Sequence, residues 1–407
     1  MSIFIDQSGR CFGRRSTGGG TPETYFMNSI CTHPCVAIIA GEASGDQHGA
    51  NLVKALQRKQ PGISFCGIGG PALRKTGVRI VVDAAELTVV GITEVFSKIP
   101  SIIKARRGIK SLLKNGKPDL LILIDFPDFN LHIAGIARRL GIPVLYYISP
   151  QIWAWRRGRV KQIKKRVDHM AVILPFEVPF YRDYDIPVTF VGHPLLDSRL
   201  PAVEQALRAG SPETIVIGLL PGSRESEIIR LLPVMLEAAD ILQQRLKRVK
   251  FIISQALTVE RALIDSILAK FLGREEIEVI SDGVETVFER CNIIVAASGT
   301  VTLQAAMHAM PMVIIYKVSR LSSWLARALV RVPHVGLVNL VAGRRLVPEL
   351  LQHQATGASI ARTVEDMLLN TDRLSRLRRE LVALRDELGR PGASNRVADL
   401  ALGLIRR

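Results

Sequence analysis

Two carboxylates and an amide, Asp125, Asp128 and Asn130, follow directly after the apolar run LLILI at residues 120–124. A carboxylate within hydrogen-bond reach of a hydroxyl group can accept its proton and so activate the oxygen as a nucleophile. We therefore expect at least one of the two aspartates to be a general base. Asp is also a common helix cap, so the alternative is that one of them begins a helix near Leu131.

A second motif, PGSRESE at residues 221–227, places small residues and an arginine before a long helical pattern. Gly and Ser let a phosphate approach the free N–H groups of a helix N-terminus, and an arginine can donate two charge-assisted hydrogen bonds to it. Ser223 and Arg224 are therefore candidate diphosphate contacts, although the spacing is not that of a Walker loop. The alternative is an exposed arginine at a helix start.

Two further loops of small residues precede helical patterns, AGEASGD at 40–46 and ASGTVTLQ at 297–304. Their candidate substrate or diphosphate contacts are Glu42, Ser44, Ser298, Gly299 and Thr300. In both loops the alternative is helix capping, by Ser44 or Asp46 in the first and by Ser298 or Thr300 in the second. The stretch SPQIWAW at 149–155 adds two tryptophans, whose rings suit a sugar or an apolar chain but also suit core packing.

The elements that carry these motifs alternate between short apolar runs and longer amphipathic stretches, which predicts a doubly wound α/β sheet. The alternation stops around residues 192–210 and restarts at 215. We expect two Rossmann-like domains facing a central cleft. Residues 28–200 would form the first domain, 201–370 the second, and 371–407 helices packing across the junction, after a disordered extension at 1–27.

The charge and cysteine content narrow the class of protein. The chain has 54 Lys and Arg against 37 Asp and Glu, a net charge of +17, which indicates an anionic partner. Five cysteines without a CxxC pair indicate neither disulfides nor a zinc site and fit the cytoplasm. No apolar run is long enough to span a bilayer. The aromatics lie beside carboxylates rather than along a basic groove, so nucleic acid is not favoured.

An apolar segment followed by a basic one, residues 87–117, suits an anionic membrane surface. Its candidate membrane or acyl-chain contacts are Val89, Val90, Ile92, Val95, Phe96, Lys104, Arg106 and Arg107. The alternative is an ordinary buried helix with a basic outer face.

The motifs above, together with PFEVPFY at 175–181 and FVGHPLLD at 190–197, closely resemble the lipid A disaccharide synthase family over about residues 36–355. The resemblance implies an inverting GT-B glycosyltransferase that needs no metal or cofactor. Residues 28–200 would then be the acceptor and membrane-facing domain, and residues 201–370 the UDP-sugar domain. It would join UDP-2,3-diacylglucosamine to 2,3-diacylglucosamine 1-phosphate (lipid X), releasing UDP and lipid A disaccharide 1-phosphate. The enzyme would lie on the cytoplasmic face of the inner membrane, as a monomer or a homodimer. A UDP-sugar epimerase or hydrolase of the same fold is the alternative.

Carried over position by position, the resemblance makes Asp128 the candidate base, with Asp125 able to exchange roles, and Arg224 the diphosphate contact. It also places Asn339 near the nucleotide. Two positions depart from the family pattern: Gln304 stands where a Glu is common, and Val338 stands where a Pro often precedes the Asn. Gln304 can still donate and accept hydrogen bonds to a ribose but carries no charge.

Overall fold

The computed structural model of this chain describes residues 34–87, 94–154, 157–197, 200–202, 214–271, 277–318 and 333–406. Its first sheet has seven parallel strands in the order β3-β2-β1-β4-β5-β6-β7. The strands are β1 Cys35–Ala40, β2 Ser64–Gly69, β3 Arg79–Asp83, β4 Leu120–Ile124, β5 Val144–Tyr147, β6 His169–Val172 and β7 Val188–Phe190. The strand order reverses between β1 and β4, and in an open α/β sheet ligands bind outside the carboxyl ends at that position.

The second sheet repeats this arrangement with strands in the order β10-β9-β8-β11-β12-β13. They are β8 Ile215–Leu220, β9 Val249–Ser254, β10 Ile277–Ile280, β11 Ile293–Ala297, β12 Met312–Tyr316 and β13 Glu349–Leu351. All the recorded pairings are parallel, and the reversal lies between β8 and β11. The central strands are buried along almost their whole length, which explains their near-continuous Ile, Val and Leu sequences.

Helices connect the strands and cover both sheets. They are α1 Ala43–Lys59, α2 Pro71–Lys75, α3 Glu94–Gly116, α4 Pro127–Arg139, α5 Val160–Arg166, α6 Glu177–Arg182, α7 Glu225–Arg245, α8 Arg261–Leu268, α9 Val284–Arg290, α10 Thr300–Met307, α11 Leu337–Ala342, α12 Gly357–Leu369, α13 Thr371–Glu387 and α14 Ala393–Ile405. Among the described helices, none combines the length and the hydrophobicity that a membrane span requires.

The last two helices pack on different sheets. Helix α13 contacts α10, α11 and α12 beside the second sheet, whereas α14 contacts α1, β4 and β5 of the first. The chain therefore returns to the first sheet after it has completed the second. The domain boundaries expected from the sequence stay a prediction, and the expectation for residues 1–27 lies outside the described residues.

Candidate active site

The reversal point of the first sheet brings two acidic side chains to one edge. Ala40 and Ile124 are partners in the β1–β4 register, so the loops that carry Glu42 and Asp125 leave the sheet side by side. Burial and, as a smaller cause, the nearby charge of Glu42 together raise the pKa of Asp125 to about 6. The pKa of the Asp125 carboxylate is thus closer to neutral pH than that of an ordinary aspartate.

The turn that presents Asp125 has an unfavourable backbone conformation. Asp125 and Phe126 both adopt left-handed φ angles, 45° and 47°, which non-glycine residues rarely do. Two hydrogen bonds to the Asp125 carbonyl hold the turn, one donated by the Tyr146 hydroxyl at 2.6 Å and one by the Asn130 amide at 2.7 Å. Such strain persists only where the surroundings enforce it, and it is common at functional sites.

Glycine at position 41 is required by this turn. A Cβ atom built on Gly41 would lie 2.4 Å from Cγ of the Phe126 ring, far inside van der Waals contact. The small first loop therefore lets the ring of Phe126 pack over it. Phe126 is also the N-cap residue of α4, so neither Asp125 nor Asp128 caps that helix, and the capping alternative is wrong here.

Asp128 and Asn130 have different surroundings from Asp125. Asp128 lies in the first turn of α4, with 75% of its side chain exposed, and forms an ion pair with Arg159 just before α5. Asn130 is fully buried, and its amide also donates to the Ile124 carbonyl at 3.2 Å. Asn130 therefore stabilises the turn, while its predicted contact with substrate stays a prediction.

The loop after β1 does not use either of its expected caps. Helix α1 begins after Glu42, which makes no side-chain capping bond, and Ser44 is exposed in the first turn. The buried carboxylate of Asp46 instead accepts from the N–H groups of Gly70 at 2.6 Å and Ala72 at 2.8 Å. Asp46 thus fixes the start of α2 against α1, and the expectation that it caps its own helix is wrong.

The reversal point of the second sheet has small residues and a cation. Leu220 and Ala296 are register partners, so the loops at 221–224 and 298–299 leave the sheet together. The side chain of Arg224 is 65% exposed and lies 3.3 Å from Glu227, whose other oxygen accepts from the Ser223 N–H at 3.1 Å. An exposed guanidinium at the start of a helix is suited to binding a diphosphate.

The loop at 298–300 leaves the N-terminus of α10 open. Gly299 is the N-cap residue and makes no side-chain bond, so neither Ser298 nor Thr300 caps the helix, as the alternative had it. A Cβ atom built on Gly299 would meet nothing within 4 Å. Ser298 donates its hydroxyl to the Val335 carbonyl at 3.1 Å, while Thr300 is exposed. Among the residues that the structure describes, none caps this helix start with its side chain, which leaves the positive end of the helix dipole available to an anion.

Comparisons with known proteins distinguish a lipid A glycosyltransferase from an epimerase or hydrolase of the same fold. The family model described as lipid-A-disaccharide synthetase matches residues 36–402. The lipid-A-disaccharide synthase of Geobacter metallireducens is 48% identical over 376 residues, which cover 91% of this chain and 97% of that protein. The chain belongs to the lipid-A-disaccharide synthetase family. The resemblance seen in the sequence is confirmed, and with it a glycosyltransferase role in lipid A disaccharide synthesis; an epimerase or hydrolase is not favoured.

Solved structures agree on the fold. The UDP-GlcNAc 2-epimerase of Neisseria meningitidis, bound to UDP-GlcNAc, is similar with a TM-score of 0.58 at 12% identity, over 92% of this chain and 100% of that one. The glycotransferase of kitacinnamycin has a TM-score of 0.57 at 15% identity, over 92% and 99%. At such identities only the fold is shared, and the prediction of a GT-B fold is confirmed for this member of the lipid-A-disaccharide synthetase family.

The side chain of Asn339 forms its hydrogen bonds with nearby residues of the same chain. The side chain is fully buried, and its amide donates to the Val347 carbonyl at 2.9 Å and to Glu349 at 2.7 Å. Its oxygen accepts from the N–H groups of Leu346 and Val347. Its predicted position near the nucleotide stays a prediction.

Glu349 was missed by the sequence reasoning. Its buried carboxylate accepts at 3.0 Å from the N–H groups of both Val335 and Gly336, in the loop that Ser298 also contacts. The available signal was a single carboxylate opening the apolar strand β13. Tyr316, at the end of β12, was also missed. Burial raises the pKa of this tyrosine, the charge of Glu227 raises it too, and the charge of Arg224 lowers it.

The remaining predicted contacts lie in three places. Gln304 is half-buried within α10. Val89, Val90 and Ile92 lie outside the described residues, as do the side chains of Val95 and Phe96 in α3. The basic residues of the predicted membrane segment are exposed on α3: Lys104, Arg106 and Arg107. Trp153 is buried and donates to Glu177 at 3.1 Å, so core packing, the alternative for this tryptophan, is correct.

Proposed function

We propose that this enzyme condenses UDP-2,3-diacylglucosamine with 2,3-diacylglucosamine 1-phosphate by direct displacement with inversion. The acceptor's primary hydroxyl oxygen forms a bond to the anomeric carbon of the donor as the bond from that carbon to UDP breaks. The hydroxyl proton passes to a carboxylate, and UDP leaves. The observation that carries the proposal is a cavity lined both by Glu42, after β1, and by Thr258, whose hydroxyl donates to the Ser223 carbonyl in the loop after β8.

Asp125 is the base that the geometry favours. A general base is most effective when its pKa lies near the working pH, and the pKa of Asp125 is raised to about 6 by burial and by Glu42. The fixed turn also holds this carboxylate at the reversal point of the sheet. Asp128, which the family resemblance favoured, is exposed and paired with Arg159. We assign Asp128 the secondary role of orienting Arg159 at the site.

The leaving diphosphate would be held on the second sheet. Arg224 supplies a fixed positive charge, and the starts of α7 and α10, whose N-cap residues are Arg224 and Gly299, supply the positive ends of two helix dipoles. These groups can stabilise the charge that develops on UDP, so the proposed step does not call on a metal. Gln304 and Asn339 are the remaining proposed contacts around the nucleotide.

The acylated substrates suggest a position at a membrane surface. Exposed Lys104, Arg106 and Arg107 on α3 provide a positive face that would attract anionic lipids. We propose peripheral attachment to the cytoplasmic face of the inner membrane through this face and the apolar segment before it. The acceptor would then reach the first domain, residues 28–200, and the nucleotide sugar the second, residues 201–370.

The decisive experiment is product formation from the two named substrates in the presence of EDTA, for wild type, Asp125→Asn and Asp128→Asn. Wild type is expected to make the disaccharide, and Asp125→Asn to lose about 100-fold or more in kcat, as removal of a general base does. Asp128→Asn should lose clearly less. A larger loss in Asp128→Asn would exchange the two roles. Release of UDP without a joined product would reject the transferase reaction.

A further inference from the structure

A cavity of about 720 Å³ opens beside Glu42 and continues along α1. Its first wall is a single face of that helix, formed by Ala43, Gln47, Ala50 and Lys54 at helical spacing. From Ala43 to Lys54 this face is about 16 Å long, which is the extended length of roughly a dozen methylene groups. The cavity is thus a groove that begins at the proposed reaction site.

The opposite wall is built from small residues of the first sheet's loops. It consists of the start of α2, including Pro71 and Ala72, and the turn after β3, including Ala84 and Ala85. Thr258, in the loop after β9 of the second sheet, also lines the groove. Its hydroxyl donates to the Ser223 carbonyl at 2.7 Å, which links the groove to the diphosphate loop.

Beyond Glu42 at its end, the groove is lined by two carboxylates, Asp46 and Asp83, and both are engaged by the protein. Asp46 accepts three backbone N–H bonds from residues 70, 72 and 73. Asp83 pairs with Arg74 at 2.8 Å and accepts from the Ala85 N–H at 3.0 Å. The middle of the groove therefore presents mainly small apolar side chains. Lys54 and Lys75 are exposed, and a lysine stem can cover apolar surface while its ammonium stays in water.

We propose that this groove binds an acyl chain of the acceptor and limits the length of chain that the enzyme accepts. The inference rests on the proposed function, which supplies an acylated sugar at the Glu42 and Asp125 end. Of the two substrates, the acceptor fits best, because the groove lies almost wholly on the first sheet, where its hydroxyl would meet Asp125. Each methylene group buried in the groove would strengthen binding about fourfold.

The test is to fill the groove and compare acceptors of different chain length. Ala72→Leu adds three carbons at a half-buried position, and the bond from its backbone N–H to Asp46 does not depend on the side chain. The measured quantity is the ratio of kcat/KM for an acceptor with acyl chains of about 14 carbons to that for one of about 8 carbons. The ratio is expected to fall about 10-fold or more, with the short acceptor changed less than about twofold. Ala202→Leu, exposed and outside the groove, is the matched control.

Three results would overturn the proposal while leaving the proposed function intact. In the first, wild type makes the disaccharide but the ratio is unchanged in folded Ala72→Leu and in Ala85→Leu, a second variant at an exposed position. In the second, the ratio shifts for a donor series and not for acceptors. In the third, Lys54→Met, which keeps the stem, weakens acceptors of every length equally, as a phosphate contact would. If wild type makes no disaccharide, the proposed function fails, and the groove loses its occupant.

Discussion

The two sheets share one topology, yet their reversal points carry opposite chemistry. At the first, a strained turn holds Asp125 beside Glu42, and burial together with the negative charge of Glu42 raises the pKa of Asp125. At the second, glycine and serine loops leave a helix start open beside the exposed guanidinium of Arg224. The fold therefore supplies two equivalent places for a ligand. The residues at the strand ends make one suited to a hydroxyl proton and the other to a diphosphate.

Removal of the cation should damage the second reversal point alone. Arg224→Ala is expected to lower kcat/KM for the nucleotide sugar by about 100-fold, because the developing charge on UDP loses a charge-assisted partner. Arg224→Lys should recover only part of this, since an ammonium cannot form the paired contacts of a guanidinium. Steady-state kinetics with each substrate varied in turn would measure the effect.

Arg230 offers a matched control, because it is exposed on the same helix, α7, six residues further along. Arg230→Ala should leave both Michaelis constants near the wild-type values. If Arg224→Ala instead raised the KM of the acceptor and left that of the nucleotide sugar unchanged, the proposed division of labour between the two sheets would be wrong.

Loosening the strained turn should damage the first reversal point. Asn130→Ala removes the amide that donates to the carbonyls of Ile124 and Asp125. The turn keeps its bond from Tyr146, so we expect a loss of about 10-fold in kcat with little change in the KM of the nucleotide sugar. The same variant should unfold about 1–3 kcal/mol more easily, because buried carbonyl groups lose a donor. Chemical denaturation and steady-state kinetics measure the two effects.

The result that would contradict this reading of Asn130 is an unchanged stability together with a raised KM for either substrate. That outcome would make Asn130 the direct contact that the sequence suggested. Asn130→Asp is a useful companion, because it keeps the size of the side chain but replaces the amide donor with an acceptor.

The sequence predicted the strand-end loops on which the candidate site is built, but it did not distinguish candidate contact residues from residues that support those loops. Strand-end loops were recognisable because apolar runs give way abruptly to Asp, Gly and Ser, as at Ile124 and Leu220. Asn339 was a candidate nucleotide contact because the family resemblance placed it near the nucleotide, yet its amide is engaged by Val347, Leu346 and Glu349. A polar side chain can bind a ligand or support a loop of the protein through the same kinds of hydrogen bond. Only the partner positions, which lie seven to ten residues away, distinguish the two.

Capping was the other point at which local reasoning failed. A Ser or Asp near a helix start usually binds that helix, but Asp46 binds the start of α2, 24 residues further along the chain. The register of β1 with β2 brings these segments together, because both strands end at the same edge. The choice between Asp125 and Asp128 as the base also depended on contacts between distant parts of the chain. The burial of Asp125 and its proximity to Glu42 both follow from the pairing of β1 with β4.

The last prediction uses stability to compare the two aspartates of the first reversal point. The folded protein holds the proton of Asp125 more tightly than the unfolded chain does, because the pKa is raised from 3.8 to about 6. Between these two pH values the folded state binds more protons than the unfolded state, so the stability of the protein falls as pH rises. Above about pH 6 the ionised, buried carboxylate lowers the stability by its full amount. Asp125→Asn should therefore stabilise the protein at pH 7 by about 3 kcal/mol and change it little near pH 4. Asp128→Asn, at an exposed position, should change stability by less than about 1 kcal/mol at either pH. Urea denaturation at the two pH values measures both variants. If Asp125→Asn is less stable at pH 7, the carboxylate supports the turn. If the variant is more stable and inactive, Asp125 is a catalytic residue that lowers the stability of the fold.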